Sequence, residues 1–293
     1  MKKSLLFFSL FFILSCSSSE DEGEVAPTNP TEFKFEYNIH SSLPSDWVTE
    51  FNKIMKNLDI LIKVKPTAYF YKLPIYAWND NVDKPYKDKI GDATGASISG
   101  NGASINGKYM VLEIPNNELI GKHWHRFSVI AHEYYHVYQM SLSKNFFDGN
   151  IELKWMSEGG AATFESLYIQ QHYSHNYFKS AQDRVDIAAI NTPSIFETYS
   201  ASSSKDSNYS SSVFMFLVLV KELQKSGLTE AQAFKLVLKE FWIKNPTNGN
   251  WKVKFQETFS ISIDQFYNSL KSYTADIKTV VPDENLKLES IYN

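Results

Sequence analysis

Phe127-Ser128-Val129-Ile130-Ala131-His132-Glu133-Tyr134-Tyr135-His136-Val137-Tyr138-Gln139 is the stretch on which the reading of this chain turns. His132 and His136 are four apart, the spacing that puts two side chains on one face of a helix, one turn apart. Phe127, Val129, Ile130, Tyr134, Val137, Tyr138 and Met140 spread apolar surface widely around them, and no Pro or Gly falls between Lys122 and Gly149. The pattern predicts a helix that is apolar almost all round, and therefore buried. Two imidazoles and a carboxylate inside such a helix need partners. A metal supplies them, since each imidazole binds zinc at about 2.0–2.1 Å. Glu133 is turned away from the line of the two imidazoles but reaches the open position of the ion. There it would hold a water, take its proton and pass it to a leaving amine.

Three fixed residues recur by chance in roughly one chain in a hundred of this length, so the second segment carries weight. Trp155-Met156-Ser157-Glu158-Gly159-Gly160-Ala161 follows the turn residues Asp148-Gly149-Asn150. A zinc site needs a third protein ligand and an open fourth position, and Glu158 is placed to supply the former, with Ser157 as the expected helix cap. Gly159, Gly160, Ala161 and Ala162 are small enough to let this second helix lie close against the first. Glu152 lies across the turn, ahead of Glu158, and is less constrained. Glu165 is two turns beyond Glu158 on the same face, roughly 10 Å further along the axis. That excludes it as a ligand of the same ion and leaves it at most a supporting role.

The pair "AHEYYHVYQ … WMSEGGAATFES" resembles the gluzincins, zinc peptidases with a His-His-Glu site, and within them the branch in which HExxH is followed by W-x-x-E-G-x-A. The resemblance spans roughly Tyr109 to Phe266. It implies Zn2+ held by His132, His136 and Glu158, Glu133 as catalytic base, and hydrolysis of a peptide bond by a metal-bound water. It also implies an α+β, zincin-like fold: a small mixed sheet lobe, then a mostly helical lobe, with the zinc between them. Gluzincins add a tyrosine or histidine beyond the third ligand to stabilise the oxyanion; Tyr209 is the first candidate here and Tyr199 the second. One departure stands out. Thermolysin-like members carry an acid four residues after the third ligand, which orients a ligand histidine; here that position is Ala162, so the orienting group must come from elsewhere. Two other readings stay open: a zinc amide hydrolase acting on cell-wall peptide, and a catalytically silent lipoprotein that binds through a peptidase fold.

The beginning of the chain reads as an export signal: Lys2 and Lys3, then an apolar run from Leu5 to Leu14, too short to span a membrane. Ile13-Leu14-Ser15-Cys16 resembles a bacterial lipobox. That implies a signal peptide over 1–15, lipidation of Cys16, and anchoring to a bacterial membrane, the outer one with possible exposure at the surface. Residues 16–30 are Ser-rich, acidic and Pro-containing, as in a flexible tether. Cys16 is the only cysteine, so no disulfide forms within one chain. A net charge of −4 argues against a nucleic-acid partner; the expected partners are a peptide or protein substrate and the membrane.

Residues 31–293 read as one catalytic domain, with an α/β lobe over 31–120 and a helical lobe over 121–293. Phe33, Phe35 and Tyr37 alternate as in a strand. A helix follows from Asp46 to Lys63 with Ser45 as its cap. Thr67–Trp78 is strand-like but interrupted by Pro74, Gly91–Gly107 is loop-like, and Tyr109–Ile114 is a strand expected to form the sheet edge that pairs with an extended substrate. His123, His125, His172 and His175 read as surface or capping residues. Helices are expected over Tyr177–Ala189, over the apolar run Ser210–Lys225, and from Thr229 to Lys244. Trp251–Thr258 and Ile263–Tyr273, the latter capped by Ser262, close the domain.

Overall fold

Four strands form one mixed sheet in the order β1-β2-β4-β3: β1 (Lys34–Ile39), β2 (Lys72–Asn79), β3 (Ala96–Gly100) and β4 (Lys108–Ile114). The computed structural model describes residues 30–100, 107–200 and 204–293; the expected signal peptide, Cys16 and almost all of the tether lie outside the described residues. β1, β2 and β4 run parallel, and β3 returns antiparallel along β4. Two sequence expectations are corrected here. Pro74 does not interrupt β2: it pairs opposite Glu36 of β1, while β4 joins only from Ile75, so the missing N–H falls beside no strand on the second side. Nor is β4 the sheet edge, because Ala96–Gly100, inside the stretch expected to be loop, covers it.

Alternation decides the faces of the sheet. Leu73, Ile75 and Ala77 of β2 and Met110, Leu112 and Ile114 of β4 enter the main core. The intervening Trp78 and Val111 form a smaller cluster on the other face, closed over by Tyr76, Tyr86 and Tyr109. Against the core face pack α1 (Ser45–Leu61), through Trp47, Phe51, Ile54 and Leu58, and α2 (His125–Leu142). Ser45 opens α1 as its first residue and makes no cap; Pro44 precedes it.

α2 is buried without a break from Phe127 to Met140, as its all-round apolar pattern requires. Beyond it lie α3 (Lys154–Tyr173) and α4 (Lys205–Lys225), the latter capped by Ser204, whose side chain accepts from the Ser207 amide. α3 begins at Lys154, so Ser157 sits inside the helix and does not cap it. The small residues after Glu158 serve α4 more than α2. A Cβ on Gly159 would stand 2.7 Å from the Ser212 carbonyl oxygen of α4, whereas Gly160 faces Phe216 of α4 and Tyr135 of α2. Tyr177–Ala189 is not one helix: short turns at Tyr177–Ala181 and Ala188–Asn191 flank an irregular segment.

The closing helices α5 (Glu230–Lys235), α6 (Trp251–Phe259) and α7 (Ile263–Ser269) follow. Thr229 and Ser262 each form a reciprocal capping box, with Gln232 and Gln265. After α5 the backbone widens into a π turn over Leu236–Glu240, and the buried Tyr135 hydroxyl of α2 donates to the Leu238 carbonyl there at 2.7 Å. The architecture is thus a small mixed sheet followed by a mostly helical remainder. Among the described residues no helix is long and apolar enough to cross a membrane.

Candidate metal centre

One helical turn on α2 and the first turns of α3 bring His132, His136 and Glu158 together. Glu158 Oε2 lies 3.5 Å from His132 Nε2 and 3.3 Å from His136 Nε2. Among the described residues this is the one group of three His, Cys, Asp or Glu side chains close enough to hold a metal. Tetrahedral zinc with bonds of about 2.0–2.1 Å separates its ligand atoms by roughly 3.3–3.4 Å; the two distances from Glu158 are close to that, and all three donors lie within 4.8 Å of one another.

The far nitrogen of each imidazole is held. His136 Nδ1 meets Gln139 Oε1 at 2.7 Å, and His132 Nδ1 meets Glu165 Oε2 at 3.6 Å. Both contacts place an acceptor at Nδ1, so that with Nε2 given to a metal each imidazole would keep its proton on Nδ1. The acid absent at Ala162 is thereby replaced by Glu165, three residues further along α3 and buried. Gln139 escapes the sequence reading although its i+3 spacing from His136 is visible there.

Electrostatics point the same way. Burial acts against a charge on His132, yet Glu158 and Glu165 outweigh it and hold its pKa well above the ordinary histidine value. Burial acts to raise Glu158, but the two imidazoles, His136 foremost, bring it well below the carboxylate range. The cluster is built to hold positive charge at its centre, which suits a dication. Two imidazole nitrogens and one carboxylate oxygen are also a donor set that zinc accepts with a position to spare. The residues present fit the ion.

Glu133 is only 4 % exposed, and its Oε2 is buried without a hydrogen-bond partner. Burial is the main cause of its raised pKa, opposed in part by the two histidines. Glu133 and Tyr209 both line two adjoining clefts. One, of about 310 Å³, runs past His136, Met140, Phe146 and Lys154; the other, of about 480 Å³, runs past His132, Val129, Glu165 and Arg184. Ala96 of β3 lines both.

Tyr209 lies in the second turn of α4, its ring 5.9 Å from that of His132. Burial and then the Glu158 carboxylate hold its hydroxyl far above the ordinary pKa, so it remains a neutral donor. Tyr199 stands behind it, 6.4 Å ring to ring, with its own hydroxyl 3.0 Å from Ser212 Oγ. It lines neither cleft. Three other histidines lie outside the donor cluster: His125, at the wall of the second cleft, pairs with Glu118 at 2.9 Å, His175 meets Ser180 at 2.9 Å, and His172 packs on the Tyr168 ring at 4.3 Å.

The wall between α2 and α3 is tied from behind. Asn245 Oδ1 accepts from the Asn145 amide at 2.9 Å and from Ser143 Oγ at 3.1 Å, and Asn248 Oδ1 accepts from the Glu152 amide at 2.7 Å. Glu152 itself is exposed at the cleft rim.

Compared with family models, with curated proteins and with solved structures, the chain matches none. The geometry therefore stands by itself, and it ranks the carboxylates. Glu158→Ala removes a donor and should abolish tight zinc binding. Glu165→Ala frees one imidazole and should weaken binding about tenfold, the usual effect of losing a ligand's support. Glu152→Ala should leave affinity unchanged. Competition against a chelator of known affinity reads all three, and equal affinity in the Glu158 and Glu152 variants would refute the ranking.

Proposed function

We propose that this chain is a zinc-dependent peptidase of gluzincin type that cleaves internal bonds of extended polypeptides. One observation carries the reading: three donors within 4.8 Å of one another and an unpartnered buried carboxylate lie at two adjoining clefts that share Ala96 of β3, the outer strand of the sheet. Among the described residues β3 has no strand beyond it. Its sequence, Ala96-Ser97-Ile98-Ser99-Gly100, carries no Lys or Pro of the kind that protects exposed edges. Such an edge accepts a substrate by strand addition, with backbone bonds supplying affinity and alternate side chains falling into the two clefts. Two adjoining clefts favour a long chain over a compact amide.

Within that reading His132, His136 and Glu158 hold the zinc. When bound, the ion supplies the positive charge that polarises a carbonyl and makes a water nucleophilic near neutral pH. Glu133, buried beside the donors and without a partner for Oε2, would take a proton from the attacking water and pass it to the departing amine. Tyr209 donates its hydroxyl hydrogen to the developing oxyanion. Glu165 and Gln139 keep the two imidazoles from turning.

Purified protein should carry about one zinc per chain and cut an unfolded polypeptide at internal bonds, seen as new termini by mass spectrometry. A chelator should stop the cleavage and added zinc restore it. Protein that takes up no zinc, or that holds zinc and cuts no polypeptide, would defeat the proposal.

A further inference from the structure

Lys154 is the first residue of α3 and lines the metal cleft beside Glu158 and His136. Its ammonium lies 3.6 Å from Glu158 Oε1, while Glu158 Oε2 faces both imidazoles. The two oxygens of one carboxylate are thus divided between a lysine and the donor cluster.

Helix electrostatics do not account for this pair. A cation in the first turn is opposed by the positive end of the helix dipole. Lysine four residues before glutamate is also the less favourable order for an i,i+4 pair. The Lys154 side chain is 38 % exposed, where an ion pair contributes little to stability. Glu158, by contrast, is 16 % exposed and already lies at the two imidazoles. A lysine placed against helix preference, on one oxygen of a mostly buried carboxylate, is explained by what it does to that carboxylate.

The geometry points to Lys154 as the positioning residue that makes Glu158 a one-oxygen metal ligand. The inference rests on the zinc reading above. By holding Oε1 away from the imidazoles, the ammonium directs Oε2 alone to the ion. The coordination position that a two-oxygen carboxylate would occupy stays open for water and substrate. Among the described residues Lys154 is the ion-pair partner of Oε1, and the Tyr209 hydroxyl also hydrogen-bonds the Glu158 carboxylate.

The test uses the full chain stripped of metal and reloaded with Zn2+ or Co2+, comparing wild type with Lys154→Met and Lys154→Arg. Zinc affinity is read by chelator competition. Coordination number is read from the visible absorption of the cobalt protein, which is intense for four-coordinate sites and weaker for five or six. Lys154→Met should bind zinc more tightly than wild type, since a second oxygen joins the ion and a nearby cation is lost, and its cobalt spectrum should lose intensity as Oε1 coordinates. Lys154→Arg, which keeps the charge, should return both most of the way to wild type. The metal-free unfolding midpoint should not move.

Wild-type affinity and spectrum in Lys154→Met would overturn the inference. So would a loss of affinity, or an arginine variant no closer to wild type than methionine. Wild type that binds neither ion would remove the zinc reading as well. Wild type that binds and cleaves beside an unaltered Lys154→Met would remove this inference alone.

Discussion

Glu133→Gln should leave zinc and fold in place and lower turnover by about 10²–10⁴-fold, the range that a positioned base contributes. The substitution keeps the shape of the side chain and removes its basicity. Glu133 Oε2 has no hydrogen-bond partner and the side chain is buried, so no structural contact of that oxygen is lost with the charge. Burial of the carboxyl also means that the neutral amide relieves a desolvation cost, and the unfolding midpoint should stay level or rise slightly. Because the proton transfers belong to the transition state, kcat and kcat/KM should fall together with KM little changed. Steady-state kinetics beside metal analysis check this. Turnover within tenfold of wild type would remove Glu133 as the base, and loss of zinc would make it a ligand instead.

Gly159→Ala should destabilise the fold by about 1–3 kcal/mol, the usual range for overpacking, and the sign is the informative part. In a helix interior alanine is favoured over glycine by about 1 kcal/mol, so without a steric conflict the substitution would stabilise. Here the new Cβ would meet the Ser212 carbonyl oxygen at 2.7 Å and its carbon at 2.9 Å. Both are backbone, so α3 and α4 must separate. At roughly 2–4 °C per kcal/mol for a domain of 150–250 residues, the midpoint should fall by several degrees. The comparison is made in chelator for both proteins, so that metal linkage does not enter. Gly160→Ala is the milder comparison: its nearest neighbours are side-chain atoms of Phe216 and Tyr135 at 3.3 and 3.4 Å, so a shift of a few tenths of an ångström would accommodate the methyl and the loss should be smaller. An unchanged or raised midpoint in Gly159→Ala would mean that the two helices are not held as closely as described. Zinc affinity should also drop, since Glu158 is the preceding residue and moves with α3.

Much of the centre is legible in the sequence because helical spacing is short-range and regular. His132, Glu133 and His136 lie within one turn, and the structure brings Glu158 to the two histidines across a short connection. The contacts at Gln139 and Lys154 obey the same i+3 and i+4 rules and could be read from spacing, but nothing in the letters distinguishes them from ordinary surface pairs. Glu165 is subtler. Its distance along α3 from Glu158 argues against a place among the ligands, but the crossing of α2 over α3 carries His132 Nδ1 to it, and a crossing is not visible in one helix's periodicity.

The sheet is where local reading fails. Ala96–Gly100 is short, weakly alternating and rich in small polar residues, with little β preference of its own. It is a strand because β4 pairs with it, and pairing between strands is a tertiary fact. Pro74 misleads for the same reason: whether a proline interrupts a strand depends on what lies beside its nitrogen. Tyr209 occupies the second turn of α4, and only the packing of that helix on α3 brings its ring beside His132 and sets Tyr199 behind it.

Every proposed zinc ligand, the base and the tyrosine ride on α2, α3 and α4, which pack into the main core. The rim is made partly by other pieces, with β3 on one side and the asparagine-tied connection between α2 and α3 on the other. If the proposed peptidase reading holds, preference for one substrate over another is open to change without disturbing the chemistry. A combinatorial library confined to Ser97, Ile98 and Glu152 would alter which side chains the cleft welcomes while each donor kept its place on a packed helix, and a lineage of such chains could diverge in diet while keeping the same teeth.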